Sequence, residues 1–539
     1  MAGLSLLTRR NFLGTLAPWG RRPNLLLILA DDLGYSDLGC FGGEIETPNL
    51  DRLASRGVRL TQFYNSARCC PSRASLLTGL YPHQAGVGDM TNNSGQPRPG
   101  FPGYQTRLND DCPTAAEILK QAGYATLMSG KWHLGPPGPD KRGFDEYYGL
   151  VGGFDSFWNP AVYRRLPEGR PARRYPQGQF YATDAITDHA LDFLHGARLE
   201  RKPWFLYLSY TAPHFPLHAP KALIDKYAPV YEQGWDRIRQ QRLARQKQLD
   251  IVSPSTELTP RSWIPANRYN RQTGWADKFN PPWDEIPLNR RKDLARRMAV
   301  FAAMVEAMDR NIGRVLDDLK AKGELNNTLV LFFSDNGACA EWDPWGFDIR
   351  TGPDNILHEG ARLEEMGQPG TYHSTGSGWA NASNTPWRLY KHYTHEGGIT
   401  TPFIAHWPDR ITARGAIRHT PAHLIDVLPT FLSAAGARAG KMEGVNLLPL
   451  LSGGSLPPRT LFFEHEGNRA VRAGKWKLAA LGPAGPWELY DMERDRTELK
   501  DLAAAHPEIV RQLSLEWEAW ARRTNVIPWI WEPAYQSAR

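Results

Sequence analysis

Asn24-Leu25-Leu26-Leu27-Ile28-Leu29-Ala30-Asp31-Asp32-Leu33-Gly34 is an unbroken apolar run that stops on two adjacent carboxylates. Apolar on both faces and too short to cross a bilayer, it reads as a central strand of a parallel-type sheet. Ligands of open α/β sheets bind beyond the carboxyl ends of the strands, so Asp31 and Asp32 stand where a hard cation could be held. A plain turn after the strand is the competing reading of Asp-Asp-x-Gly.

Three later strands also run into polar residues able to do chemistry. Ala125–Met128 runs into Ser129-Gly130-Lys131-Trp132-His133, and Trp204–Tyr210 into Thr211-Ala212-Pro213-His214. Thr328–Phe333 runs into Ser334-Asp335-Asn336-Gly337. Lys131 and His133, two apart at a strand end, point to one side and can both reach a central anion. Asp335 and Asn336 offer oxygen ligands of the kind Ca²⁺ or Mg²⁺ takes, and no soft ligand set for zinc is present. Helical patterns lie between these strands, at Pro48–Ala54, Thr114–Gln121, Asp184–His195 and Arg297–Lys320. The pattern predicts an α/β fold, a large, mixed but mostly parallel central sheet flanked by helices. Beyond a boundary at Gly444–Gly454, alternating segments from Leu461 to Asp491 and a helix from Pro507 to Arg522 predict a small antiparallel sheet with a packed helix.

Cys69-Cys70-Pro71-Ser72-Arg73-Ala74-Ser75-Leu76-Leu77-Thr78-Gly79 follows a predicted strand at Val58–Tyr64. It reads as a loop entering a helix N-terminus, where backbone N–H groups and the helix dipole favour an anion. Arg73 would project one turn in, towards that anion. Buried small hydrophobe, disulfide half and metal ligand are the ordinary alternatives for a Cys-Cys pair.

At this point the chain resembles the type I, formylglycine-dependent sulfatases of the alkaline phosphatase superfamily, whose signature is Cys-x-Pro-Ser-Arg with a downstream Thr-Gly. The Gly130–Gly135 stretch, the Ala-Pro-His-x-Pro frame around His214, and Lys391 to Gly398, similar to the family's Lys-x(4)-Glu-Gly-Gly, extend the resemblance in family order from Asn24 to Asp501. The resemblance implies that Cys69 is oxidised to formylglycine by a maturation enzyme. It also implies a divalent cation, Ca²⁺ before Mg²⁺, on Asp31, Asp32, Asp335 and Asn336 beside residue 69. Cys69, Arg73, Lys131, His133, His214 and Lys391 would be catalytic. The hydrated aldehyde would attack sulfur, His214 would protonate the departing alcohol helped by Lys391, and His133 would take the proton that expels sulfate. The function so implied is hydrolysis of aryl or carbohydrate sulfate esters. A phosphonate or phosphate ester hydrolase of the same superfamily and a non-catalytic sulfated-glycan binder are the other readings.

The 539 residues suffice for one large core and a smaller one, which divides the chain into an extension at 1–22, a catalytic domain at 23–445 and a small domain at 446–539. A net charge of +7, with both signs spread along the chain, suits an anionic substrate without any basic-aromatic motif for nucleic acid. Five cysteines build no disulfide scaffold and leave the redox compartment open. Thr8-Arg9-Arg10-Asn11-Phe12-Leu13 looks like a twin-arginine export signal, which would place the protein in the periplasm or outside the cell, and in the cytoplasm if the signal does not function. No run is long enough for a transmembrane helix. The 217–294 insertion shows no clear strands; its charged stretch Trp235–Leu249 reads as a helix with a solvated face, and Trp263, Trp275 and Trp283 either cover the site or pack the loop. Trp342 and Trp345 are expected to line the substrate pocket. His83, His392 and His395 read as structural, loop or surface residues, and His465 as a residue able to reach the pocket rim.

Overall fold

The computed structural model describes residues 22–91, 98–264, 269–341 and 343–531. The twin-arginine-like start and Trp342 lie outside them. Among the described residues the strands of the main sheet are β1 (Asn24–Ala30), β2 (Val58–Tyr64), β3 (Ala125–Gly130), β4 (Glu146–Gly149), β5 (Arg164–Leu166), β6 (Trp204–Ser209), β7 (Thr328–Ser334), β8 (Thr400–His406), β9 (Ala416–Arg418) and β10 (Ala422–His423). They lie in the order β9-β2-β8-β7-β1-β6-β3-β4-β5, with β10 beside β2.

β1 sits at the centre, parallel to β7 on one side and to β6 on the other. Its odd residues Leu25, Leu27 and Leu29 pack into one apolar cluster, and Leu26, Ile28 and Ala30 into another on the opposite face. That double burial is why the run has no polar alternation. The helices Ala182–Leu199 and Leu288–Ala321 cover one face, while Cys69–Thr78 and Val427–Ala435 cover the other.

Because β3, β6, β1 and β7 are neighbours and all parallel, their carboxyl ends share one edge. β8 runs antiparallel to β7 and β2, so the chain entering β8 reaches that same edge. A mixed sheet therefore gathers four strand ends and one strand start at one place.

The C-terminal sheet pairs Thr460–His465, Asn468–Ala473, Trp476–Ala480 and Glu488–Asp491 in sequence order, all antiparallel, against the helix Pro507–Thr524. It is tied to the main sheet by a buried charge cluster. Lys477 Nζ lies 3.0 Å from Glu396 Oε1 and 2.7 Å from Glu498 Oε1, and Arg496 lies 2.8 Å from Glu396.

The insertion departs from its sequence reading. Trp235–Gln248 is a helix with one face in solvent, but its other face is charged as well as buried: Trp235, Ile238, Arg239, Arg242, Leu243 and Gln246 are buried. Arg242 is held 2.7 Å from both Asp37 and Glu44, so its charge is paired inside the protein rather than hydrated. A second helix, Lys221–Tyr231, and a short ribbon pairing Trp263–Ile264 with Lys278–Phe279 also lie here. The 34-residue helix Leu288–Ala321 begins before residue 294, so the insertion ends earlier than expected. Trp283 is buried edge-on against Trp235 and Trp379, which settles its role as packing.

Candidate active site

The ten-residue helix Cys69–Thr78 is buried throughout, and Cys69 forms its first turn. Arg73, one turn on, is fully buried; its Nε donates to Asp335 Oδ2 at 2.9 Å, and its Nη1 donates to Ser209 Oγ at 2.6 Å and to the Lys131 carbonyl at 2.9 Å. One guanidinium thus fixes the ends of β3, β6 and β7 against the helix. Lys131 Nζ lies 2.6 Å from Asp31 Oδ2, and Lys391 Nζ 2.9 Å from the Asp32 carboxylate. Asn336 Nδ2 donates to Asp32 Oδ1 at 2.6 Å. His214 donates from Nδ1 to the Phe215 carbonyl, 2.6 Å away, leaving Nε2 to face Lys391 Nζ at 3.5 Å and Asp32 at 3.4 Å. A His133 nitrogen lies with the Cys69 and Cys70 sulfurs in one group within 4.8 Å.

All ten residues assigned to catalysis or to the cation are brought to one sheet edge. Asp32 and His133 take left-handed backbone conformations, φ 66° and 53°, which side chains other than glycine adopt at a cost of ~1–3 kcal/mol and which concentrate at functional sites. Gly337 is required by close approach: a Cβ there would stand 1.9 Å from the Gly397 carbonyl oxygen. That contact seats the Asp335–Asn336 turn against the loop that carries Lys391.

The electrostatics are those of a site short of positive charge. Burial and the neighbouring Asp31 push the Asp335 carboxyl well above the usual range. Burial would also raise Asp32, but His214 and Lys391 hold it well below that range. Two oxygens, Asp31 Oδ1 and Asn336 Oδ1, are buried with no hydrogen-bond partner. Orphaned acceptors among three carboxylates are what a hard divalent cation satisfies, so the residues fit one. The hydrogen bond from Cys70, with Lys131 and His133, holds the Cys69 thiol well below its usual value despite burial. Burial lowers His133 to about 4 and also lowers His214.

The other singled-out positions divide. His392 and His395 lie in the loop before Glu396, as one of the two readings had it, but are buried rather than on the surface: His392 Nδ1 is 2.8 Å from Arg68 and His395 Nε2 2.8 Å from Glu488. His83 is structural as read, paired with Glu464 at 2.7 Å. His465 is buried with its ring 5.6 Å from that of His392. Trp345 stands edge-on to Trp275 at 5.1 Å, with the Arg290 guanidinium 5.4 Å over its ring. Sequence reading missed Ser209, whose place at the end of β6 was a usable signal. It also missed Glu341, 3.9 Å from Lys391 and 3.7 Å from Arg68, for which a loop position gave none.

Fold and site together define a hydrolase for esters of a tetrahedral oxyanion. A sulfatase family model matches residues 23–437, and an N-sulphoglucosamine sulphohydrolase C-terminal model matches 386–522. The chain is 37% identical to an uncharacterized sulfatase of Schizosaccharomyces pombe, over 94% of this chain and 95% of that one. It is 36% identical to an arylsulfatase of Klebsiella aerogenes, over 79% and 90%. The crystal structure of Ps i-CgsB in complex with k-i-k-neocarrahexaose superposes with a TM-score of 0.65 at 25% identity, covering 95% of each chain. The chain belongs to the sulfatase family, within the alkaline phosphatase superfamily. It is a sulfuric ester hydrolase.

Proposed function

We propose that this sulfatase cleaves aryl or carbohydrate sulfate esters with a formylglycine formed from Cys69 by a maturation enzyme, beside a divalent cation, Ca²⁺ before Mg²⁺. Asp31, Asp32, Asp335 and Asn336 would hold that cation at the adjoining ends of β1 and β7. A hydrated aldehyde at residue 69 would supply a nucleophilic hydroxyl, and a cation held by these four residues would supply Lewis-acid chemistry beside it.

The remaining steps belong to the side chains. Lys131 and Lys391 balance the anion, and Arg73 fixes the first helical turn on which residue 69 stands. Nε2 of His214 is the atom placed to give a proton to the leaving oxygen, with the Lys391 ammonium 3.5 Å behind it. Burial lowers His214 while Asp32 and Asp31 oppose that shift, and the negative charge of an arriving sulfate further favours its protonated form. His133, lowered to about 4 by burial, is neutral at physiological pH and so able to accept the proton from the residue-69 hydroxyl.

The observation that carries this reading is the pair of orphaned oxygens on Asp31 and Asn336, in a buried carboxylate cluster paired with Arg73, Lys131 and Lys391. Release of inorganic sulfate from 4-nitrophenyl sulfate, compared with hydrolysis of a 4-nitrophenyl phosphonate monoester, tests it. Preference for the sulfate is expected. Preference for the phosphonate would make the chain a phosphonate hydrolase in its main activity, and tight binding of sulfated glycan without turnover would make it a binder.

A further inference from the structure

The segment Leu150–Phe154, which leaves β4, touches both histidines. The Leu150 and Val151 carbonyls accept from the backbone N–H groups of Trp132 and His133, at 3.0 and 3.1 Å. A Cβ on Gly153 would stand 2.8 Å from His133 Nε2, so the strap lies directly on that ring. The next residue, Phe154, stacks on His214, with centroids 5.5 Å apart and planes 18° from parallel. Phe154 is nevertheless 42% exposed, whereas His214 beneath it is 4% exposed. An exposed large aromatic ring laid over a buried proton donor is not explained by core packing.

Phe154 continues into a wall of rings. It meets Phe215 at 4.8 Å, and Phe215 meets Phe347 at 5.0 Å edge-on. Phe347 meets Tyr372 at 5.8 Å, and the Tyr372 hydroxyl is already bonded to Thr351. Phe215 and Phe347 are buried, so the face open to a leaving group here is that of Phe154, and a phenyl face supplies no partner for a sugar's hydroxyls. An aromatic leaving group needs only a face to stack on.

We propose that Phe154 is the specificity-determining residue of a leaving-group subsite that takes aryl sulfates, a subsite resting on the sulfatase reading above. The departing phenol stacks on Phe154 while its oxygen meets His214 Nε2. Steady-state kinetics on 4-nitrophenyl sulfate and on N-acetylgalactosamine 6-sulfate, with wild type, Phe154→Ala and Phe154→Trp, tests it. Phe154→Ala is expected to lose roughly three- to tenfold more kcat/KM on the aryl ester than on the sugar ester, chiefly through KM, as the loss of one stacking contact implies. Phe154→Trp is expected to restore the aryl preference. Equal losses on both esters, a loss confined to kcat, or no loss would overturn the subsite while leaving a sulfatase. Wild type that releases sulfate from neither ester would overturn the sulfatase reading and the subsite with it.

Discussion

Arg73 and Asp335, 262 positions apart in the chain, are joined by two contacts, Nε to Oδ2 at 2.9 Å and Nη2 to Oδ2 at 2.8 Å. The pair locks the helix that begins at Cys69 to the turn that ends β7. A lysine in its place keeps the charge but loses the planar fork that also reaches Ser209 and Lys131. Arg73→Lys is expected to lower kcat on 4-nitrophenyl sulfate on the order of a hundredfold, the scale found for losing one fixed donor in an active site. Steady-state kinetics beside a melting curve checks that the loss is not unfolding.

Asp31 and Asn336 each keep a buried oxygen without a partner, and Asp335 is pushed towards protonation by burial and Asp31. Binding of a cation to the folded chain alone stabilises it by RT ln(1 + [L]/Kd), about 2.7 kcal/mol at a hundredfold excess over Kd. Added Ca²⁺ should therefore raise the melting temperature of chelator-treated protein by a few degrees. Asp31→Asn and Asp335→Asn should each abolish most of that rise, measured by calorimetry on the same samples.

Gly153 touches His133 at a distance no side chain can share. Gly153→Ala should push the imidazole aside and lower kcat more than it changes KM, with little change in melting temperature. Equal changes in both constants would point to a general distortion of the pocket.

Arg242 is 1% exposed and balances Asp37 and Glu44, in the loop that follows Asp32. Replacing it with leucine leaves two partly or wholly buried carboxylates without their cation. Loss of one partner from a buried ion pair costs about 3–5 kcal/mol. A fall in melting temperature of several degrees is expected for Arg242→Leu, readable by scanning calorimetry.

Glu396 is held at about 2 although burial would raise it, because Lys477 and Arg496 flank it. Its folded value lies below the usual 4.5, so its stabilising contribution is complete above pH 4.5 and is lost as pH falls towards 2. Wild type should melt well above Glu396→Gln at neutral pH, and the gap should narrow between about pH 4.5 and pH 3. A gap independent of pH would show that the cluster acts through packing alone.

Much of the site was legible because most functional residues follow or precede a strand whose apolar run is unmistakable, Cys69 and Arg73 alone standing on a helix. Asp31, Lys131, His214 and Asp335 could be placed at one edge before any coordinates, since parallel neighbours share their carboxyl ends. Lys391 was found by motif alone; the reason it belongs, the antiparallel sense of β8, is a property of pairing that no local pattern carries. Arg242 misled for a related reason. A helix dense in charge usually faces water, and only the distant partners Asp37 and Glu44 make burial affordable. Phe154 left no signal, because a phenylalanine in a Gly-rich loop says nothing about the ring it will cover.

Peptide mass spectrometry over Cys69–Arg73 of the active enzyme, paired with sulfate release by the same preparation, is the most direct test of the central claim. The expected result is a residue 69 that has lost sulfur and two hydrogens and gained one oxygen, in a fraction that tracks activity, with no turnover by Cys69→Ala. Full turnover by protein whose residue 69 is an unmodified thiol, or by Cys69→Ala, would contradict it.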